Sequence, residues 1–572
     1  MLGKRSKQMG LFEADNLYLE HVGKESFYGF LASQRGQIFH DEEFARLYCS
    51  DNGRNSVPPS LLSTALLLQT YDRVSDEDAK ERADFDIRWK VALGIGIDDR
   101  PFAKSTLQLF RSQLILHTQM RAVFTKSLAL ARKTGYLKTR PLKAALDTSN
   151  ILGRGAVKDT YNLLSDGIIK LVRVLASLAG ATPEEWVGER DLSRYFGSSI
   201  KGEASVNWDH KAARREFLAG VVEDADCLLR EARQVRESYP KGSSEDEQVA
   251  EAAQLLGQLL LQDVERKPEG VELKEGVSRD RIVSVHDPEM RHGHKSKSKR
   301  FDGHKVAVAV DPESQLITAV DVLAGNAPDN RDALALVEET EENTRLEVEE
   351  TIGDCAFGDG ATRQAFADAG RKLVAKVPGR PNRNHFPKED FTIDLEKGTC
   401  TCPAGQVTHK LLPATHRRKE PGHRYFQFDR AICGACPMRP RCVAAGPGKG
   451  RTVSLHPQEA MLQEARAFQK SEAFDLYRKL RQAAEHRLAR LVWLGIRQAR
   501  YFGRTKTLFQ VLMAATVANL TLVATKMGLM GSSNGQDPAF GPHILGLFAV
   551  FSFLFGGSQP QLNADRFRMI AA

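Results

Sequence analysis

Residues 142–147 read LKAALD, a short apolar run ending on an acid, and the small, polar TSN follows at 148–150. That length and composition predict a buried strand delivering Asp147 at its tip. Downstream, DRIVSV (280–285), HKVAVAV (304–310) and LITAVDVL (316–323) carry the same strand signature, and DPESQ (311–315) supplies a hairpin turn between the last two. A helical stretch, ALALVEETEEN (333–343), then leads to EVEETIGD (347–354), a second strand ending in an acid, Asp354. A further helix, ATRQAFADAG (361–370), leads to RKLVAKV (371–377). Strand, hairpin, helix, strand, helix and strand predict an α/β fold with a mixed sheet, occupying residues 136–157 and 270–380.

Helical patterns surround this core. Residues 1–135 read as an all-helical module: VPPSLLSTALLLQTY (57–71) has helical apolar spacing, Ser75 and Asp78 form a capping box, and STLQLFRSQLILHTQMRAVF (105–124) follows. Residues 158–269 are charged and helical, a long insertion after the first strand. Residues 381–456, rich in Pro, Gly, Cys and charge, read as an irregular Cys-rich insertion, and a long helical pattern occupies 457–527. The tail, 528–572, contains ILGLFAVFSFLFGG (544–557), about half of the roughly 20 apolar residues that a spanning helix needs. No membrane role is expected. The first residues, MLGKRSKQMGLFEADN, have no apolar segment after their basic residues, so a cytoplasmic protein is expected.

The net charge of +8 is modest for 572 residues, but its distribution is uneven. From Arg478 to Lys506 nine Lys or Arg stand against one acid, Glu485; from Arg291 to Lys305 six stand against Asp302. Each tract suits a polyanion, and each also suits a solvated face.

Phosphodiester chemistry by two metal ions needs several carboxylates converging on one place, and hard oxygen ligands imply Mg²⁺ or Mn²⁺. Asp147 and Asp354 qualify as acids ending apolar strands, although strand-end acids also serve turns. Glu485 is the sole acid between Leu476 and Gly535. Tyr477, Arg481 and Glu485 recur at four-residue intervals and so share one helix face, a spacing that equally suits an Arg481–Glu485 ion pair.

The blocks LDTSNILGRGAVKDTYNLL (146–164), SVHDPE (284–289), FDGHK (301–305), IGDCAFGDGATRQAF (352–366) and YRKLRQAAEHRLARLVWLGIRQARYFGRTKTLFQ (477–510) together resemble DDE transposases of bacterial insertion sequences. Residues 53–94 resemble the helical N-terminal domain that accompanies them, and the likeness covers most of residues 30–525. The resemblance implies an RNase H-like catalytic core and metal-dependent cleavage of transposon ends to free a 3′-hydroxyl. That hydroxyl then attacks target DNA. It assigns metal coordination to Asp147, Asp354 and Glu485 and charge stabilisation to Arg481. Double-stranded DNA, as terminal inverted repeats and target, is the implied partner, with Tyr477, Arg291, Lys295, Lys297, Lys305, Arg497, Arg500 and Lys506 as DNA-binding candidates and a homodimer as the expected assembly. The alternatives are an inactive transposase-derived DNA-binding protein or repressor, and a nuclease that cuts without joining.

Two positions depart from the family pattern: Tyr477 stands four residues before Arg481 rather than three, and Val492 occupies the place, seven past the Glu, where a basic residue is common. Asp329 is a candidate auxiliary acid or cap of the following helix, and Asp359 competes with Asp354. His292 and His294 flank Gly293 and belong with the basic tract. Cys400, Cys402, Cys433, Cys436 and Cys442 have spacings compatible with a structural Zn²⁺ site. Five cysteines for four positions, with His409 and His416 near them, leave the ligand set open.

Overall fold

The run that begins LKAALD does not stop at its acid. In the computed structural model, which describes residues 1–530 apart from 6–13, 51, 277, 297, 380–383, 415–421 and 447, strand β1 spans Leu142–Leu152. Asp147 therefore lies mid-strand rather than at the tip. The reason is unequal pairing on its two sides: residues 145–152 of β1 form an unbroken antiparallel ladder with a later strand, whereas its parallel partner reaches only residues 142–145 and a single bridge to Gln498 holds Leu152. Polar residues 148–150 are held in the strand by that ladder, and the missing neighbour on the other side opens a notch.

Five more strands complete the sheet: β2 (Arg291–His294), β3 (Arg300–Val310), β4 (Ile317–Ala324), β5 (Val348–Gly353) and β6 (Lys372–Ala375). β3 lies antiparallel between β1 on one side and β4 and β2, end to end, on the other; β5 runs parallel to β1, and β6 parallel to β5. Helices α1 (Ala333–Thr344) and α2 (Gly360–Asp368) connect the later strands. This is an RNase H-like α/β core. Gly303 in β3 has φ +151, and a Cβ there would stand 2.2 Å from the Ile151 carbonyl oxygen, so only glycine lets β3 lie against the end of β1.

Two strand expectations are corrected. DRIVSV forms no strand: Ile282 and Val285 are apolar because they pack into the core of the helical insertion, not because they pair. Conversely β2 lies in the basic RHGH stretch, where no alternation announces it; Gly293 fits there because a Cβ would strike Phe301 and the Gly325 carbonyl.

The N-terminal region is helical as expected, and Ser75 and Asp78 make the reciprocal capping box. The insertion contains helices Thr160–Leu178, Lys211–Glu237 and Ser244–Asp263 around its own core, and adds an unforeseen hairpin, Val264–Lys267 with Gly270–Leu273. The Cys-rich stretch is less irregular than expected, since it folds two small three-stranded sheets. The long C-terminal helical pattern is broken: helix Glu459–Gln469 and α3 (Ala473–Leu491) precede a π-turn at Val492–Ile496, and α4 (Arg504–Lys526) follows. Gly495 (φ 96°) and Gly503 (φ 85°) allow the two reversals. By length and composition α4 could cross a bilayer, yet every residue from Thr507 to Ala524 is buried inside the protein. The apolar stretch at 544–557 lies outside the described residues.

Candidate active site

The notch beside β1 collects the acids. Ala145 of β1 pairs with Ile352 of β5, and continuing that parallel register by two residues brings Asp147 level with Asp354, on neighbouring chains about 4.8 Å apart. Helix α3 packs across β1, β3 and β5 and carries Glu485 over the same end of the sheet. Asp147 is mostly buried. Burial raises its pKa first; a backbone N–H from Thr148 opposes, Asp354 raises it, Arg481 opposes, and Glu485 raises it again, leaving it at about 6. The three carboxylates thus share one field.

Their hydrogen bonding differs. One oxygen of Asp147 accepts the Thr148 N–H at 2.8 Å, and one oxygen of Asp354 accepts the Ala356 N–H at 2.8 Å; among the described residues the second oxygen of each has no hydrogen-bond partner. Glu485 accepts from Arg481 at 2.6 Å. The ion pair suggested by the spacing therefore exists, and it engages the third acid. Among the described residues no three His, Cys, Asp or Glu side chains already stand close enough to ligate one ion. The donor set nevertheless fits a hard divalent cation: carboxylate oxygens alone, two of them unpartnered, and the third held only by a side chain that can rotate.

The competing acids have other work. Asp359 caps α2, accepting the Ala361 and Thr362 N–H groups at 3.0 Å and the Asn330 amide at 2.7 Å. Asp329 does not cap α1, whose N-cap residue is Asp332; it receives the Lys305 ammonium at 2.7 Å.

The cations and Tyr477 are spread unevenly. Lys305 is committed to Asp329 and the Ala327 carbonyl, and Arg291 is half-buried with its guanidinium on the Met290 carbonyl. Lys295 is exposed, and Lys297 lies outside the described residues. Arg497 holds the backbone and side chain of Asn150 at 3.0 and 2.7 Å, just beyond Asp147 on β1. Arg500 reaches the Val74 carbonyl in the N-terminal region, and Lys506 is exposed at the start of α4. Within the same tract Arg487 is buried on the Ala518 carbonyl and Arg490 lies 4.3 Å over the Trp493 ring. Much of this basic tract therefore serves the protein's own packing. His292 pairs with Asp302.

Two clusters escaped sequence reasoning. The Tyr477 hydroxyl donates to Glu350 of β5 at 2.9 Å, and Lys143 and Lys372 bind the same carboxylate. Burial opposes ionisation of Glu350, but Lys143, Lys372 and Tyr477 together bring its pKa down to about 2. The second cluster explains the SVHDPE and FDGHK blocks: Asp287 and His304, both fully buried, meet at 3.3 Å. Burial disfavours the Asp287 charge, but His304 and the Gly503 and Glu289 N–H groups outweigh it and lower the pKa, stitching β3 to the turn before α4. Nothing local in the sequence signals either pairing, since the partners lie 127 and 17 residues apart.

Residues 401–524 match the family model for a transposase DDE domain, and residues 21–113 match that for a transposase domain (DUF772). The first match includes Glu485 and Arg481 but begins after Asp147 and Asp354. No curated protein and no solved structure matches the chain. With a match to a transposase domain towards each end and an RNase H-like sheet between them, the chain is similar to the DDE transposases of insertion sequences.

Proposed function

We propose that the protein cuts DNA at transposon ends and joins the freed 3′-hydroxyl to target DNA, using divalent metal held by Asp147, Asp354 and Glu485. The observation that carries this reading is the parallel register that sets Asp147 level with Asp354, with the helix that bears Glu485 packed across the same strands. Two Mg²⁺ or Mn²⁺ ions bound there would activate the attacking oxygen and stabilise the leaving one. The chain's own contributions are distinct. Asp147, deprotonated, Asp354 and Glu485, turned away from Arg481, would hold the ions, and Arg481 would then be available as a counter-charge for the scissile phosphate. Lys295 and Lys506, both exposed, and Arg497, beside β1, are proposed to bind DNA backbone. Cutting paired ends calls for at least two copies acting together.

The test is a supercoiled plasmid carrying the inverted repeats that flank the gene, incubated with protein and Mg²⁺. Nicking and strand transfer are expected from the unaltered chain and from Asp359→Asn, which keeps a capping side chain. Both activities should vanish in Asp147→Ala, Asp354→Ala and Glu485→Ala. DNA retention without nicking by the unaltered chain would favour a repressor, and nicking without joining a simple nuclease.

A further inference from the structure

The Cys-rich segment has a core too small for its length. Among the described residues seven side chains form its buried apolar cluster, two of them Cys400 and Cys442, and its strands have two to four residues each. Segments with so little apolar burial are ordinarily held by a covalent or metal cross-link. All five cysteines here are free of disulfides.

Four of them face one place. Cys402, Cys433, Cys436 and Cys442 line a cavity of about 30 Å³, which Cys400, fully buried within its sheet, does not line. The backbone turns at Cys402 and again at the Cys433–Cys436 pair. Cys402 opens a tight turn, its carbonyl accepting the Gly405 N–H and its N–H donating to the Gln406 carbonyl, both at 2.8 Å. Cys433 and Cys436 straddle the end of helix Arg430–Ala435, and the Arg451 N–H points at the Cys433 sulfur at 3.5 Å. Charge is provided for as well. Arg439 and Arg451 line the same cavity, and the buried Nε–H of Arg451 has no acceptor among the described residues. A tetrathiolate around a divalent ion carries two net negative charges, and a thiolate would supply the acceptor that Nε lacks.

We propose that Cys402, Cys433, Cys436 and Cys442 bind one structural Zn²⁺, with Cys400 an apolar core residue; His416 lies outside the described residues. The sulfurs do not yet stand at ligating positions, so rotation of the thiols into the shared cavity accompanies binding. Each ligand gives up its proton as the zinc–sulfur bond forms. The ion would tie the turn at Cys402 to the helical pair that follows, and so fix the segment that leads into helix Glu459–Gln469 and α3.

The test is elemental analysis of the full-length protein purified without a metal-affinity step. One zinc per chain is expected, released when a mercurial titrates the thiols. Co²⁺ in place of zinc should give the visible bands and thiolate charge-transfer absorption of a tetrahedral tetrathiolate site. Cys433→Ser and Cys442→Ser should lose the metal, whereas Cys400→Ala should keep it. Because a ligand variant that fails to fold would also lack zinc, the metal content and Co²⁺ spectrum of the unaltered chain decide first. Absence of metal with eight titratable thiols, disulfides in the purified protein, iron in place of zinc, or loss of zinc in Cys400→Ala would each overturn the assignment.

Discussion

Asp147 sits where burial disfavours its own charge. Its proton is held to about pH 6 in the folded chain, against an ordinary value of 3.8. Between those values the native state binds the extra proton, so stability falls as pH rises through that window, and the full cost persists above it. Two pKa units correspond to about 3 kcal/mol; since Asp147 is partly exposed, screening reduces the expected cost to about 1–2 kcal/mol. Asp147→Asn should therefore stabilise the chain by about that amount at pH 7 while ending DNA cleavage. Thermal melts at pH 5 and pH 8 provide the check: the advantage of the variant should be larger at pH 8, and Mg²⁺ should raise the melting temperature of the unaltered chain more than that of the variant. Equal melting temperatures of variant and unaltered chain at both values would show that burial of the Asp147 charge costs nothing. The sequence made Asp147 and Asp354 visible because each follows an apolar run, and Glu485 visible because it stands alone among cations. It could not show that Glu485 is engaged by Arg481, since a spacing that permits an ion pair also permits a shared ligand face.

At the scale of elements, the question is what fixes α3 over the sheet. Tyr477 entered as a DNA-binding candidate, but its hydroxyl is spent on Glu350, with Lys143 lying 5.6 Å from its ring. One helix residue thereby grips two adjacent strands, β5 directly and β1 through Lys143, eight residues before Glu485 on the same helix. Tyr477→Phe should cost about 1 kcal/mol, the ordinary worth of one hydrogen bond to a charged group discounted for partial exposure. It should lower cleavage rate more than DNA affinity. A large loss of affinity with unchanged rate would restore the DNA-binding role. Glu350 adds a pH signature of opposite sign to that of Asp147. Its pKa is depressed to about 2, so its stabilisation is complete above the usual glutamate value of 4.5 and is lost as pH falls through about 2. The destabilisation caused by Glu350→Gln should shrink accordingly as the comparison is moved from pH 7 to pH 3. Periodicity identified α3 and the strands, but the bonds between them join residues far apart in sequence and follow no local rule.

Across the whole molecule, the helical or strand character of the segments was legible and their mutual dependence was not. The N-terminal helices, the sheet and α4 share one continuous apolar core. At its centre the buried Asn519 of α4 accepts the Ile317 N–H at 2.9 Å and donates to the Ile317 carbonyl at 2.8 Å and to Ser127 at 3.2 Å, joining β4 to helix Met120–Lys133. Arg73 reaches the Trp493 carbonyl and Arg500 the Val74 carbonyl across the same junction. A composition shift near residue 135 reads as a domain boundary because the backbone pattern changes there, yet the apolar faces on either side need each other. The insertion is different, for its three long helices close around a core of their own. The two deletions should therefore behave in opposite ways. Removing residues 1–135 uncovers the apolar flank of α4, a helix hydrophobic enough to span a bilayer, and the remaining chain should aggregate or partition into detergent. Expressed alone, residues 158–276 should be soluble, helical by circular dichroism and cooperatively melting. A soluble, folded 136–530 fragment would show that the N-terminal helices are an appendage; an unfolded insertion fragment would show that its core depends on Ile282 and Val285, which lie beyond the fragment.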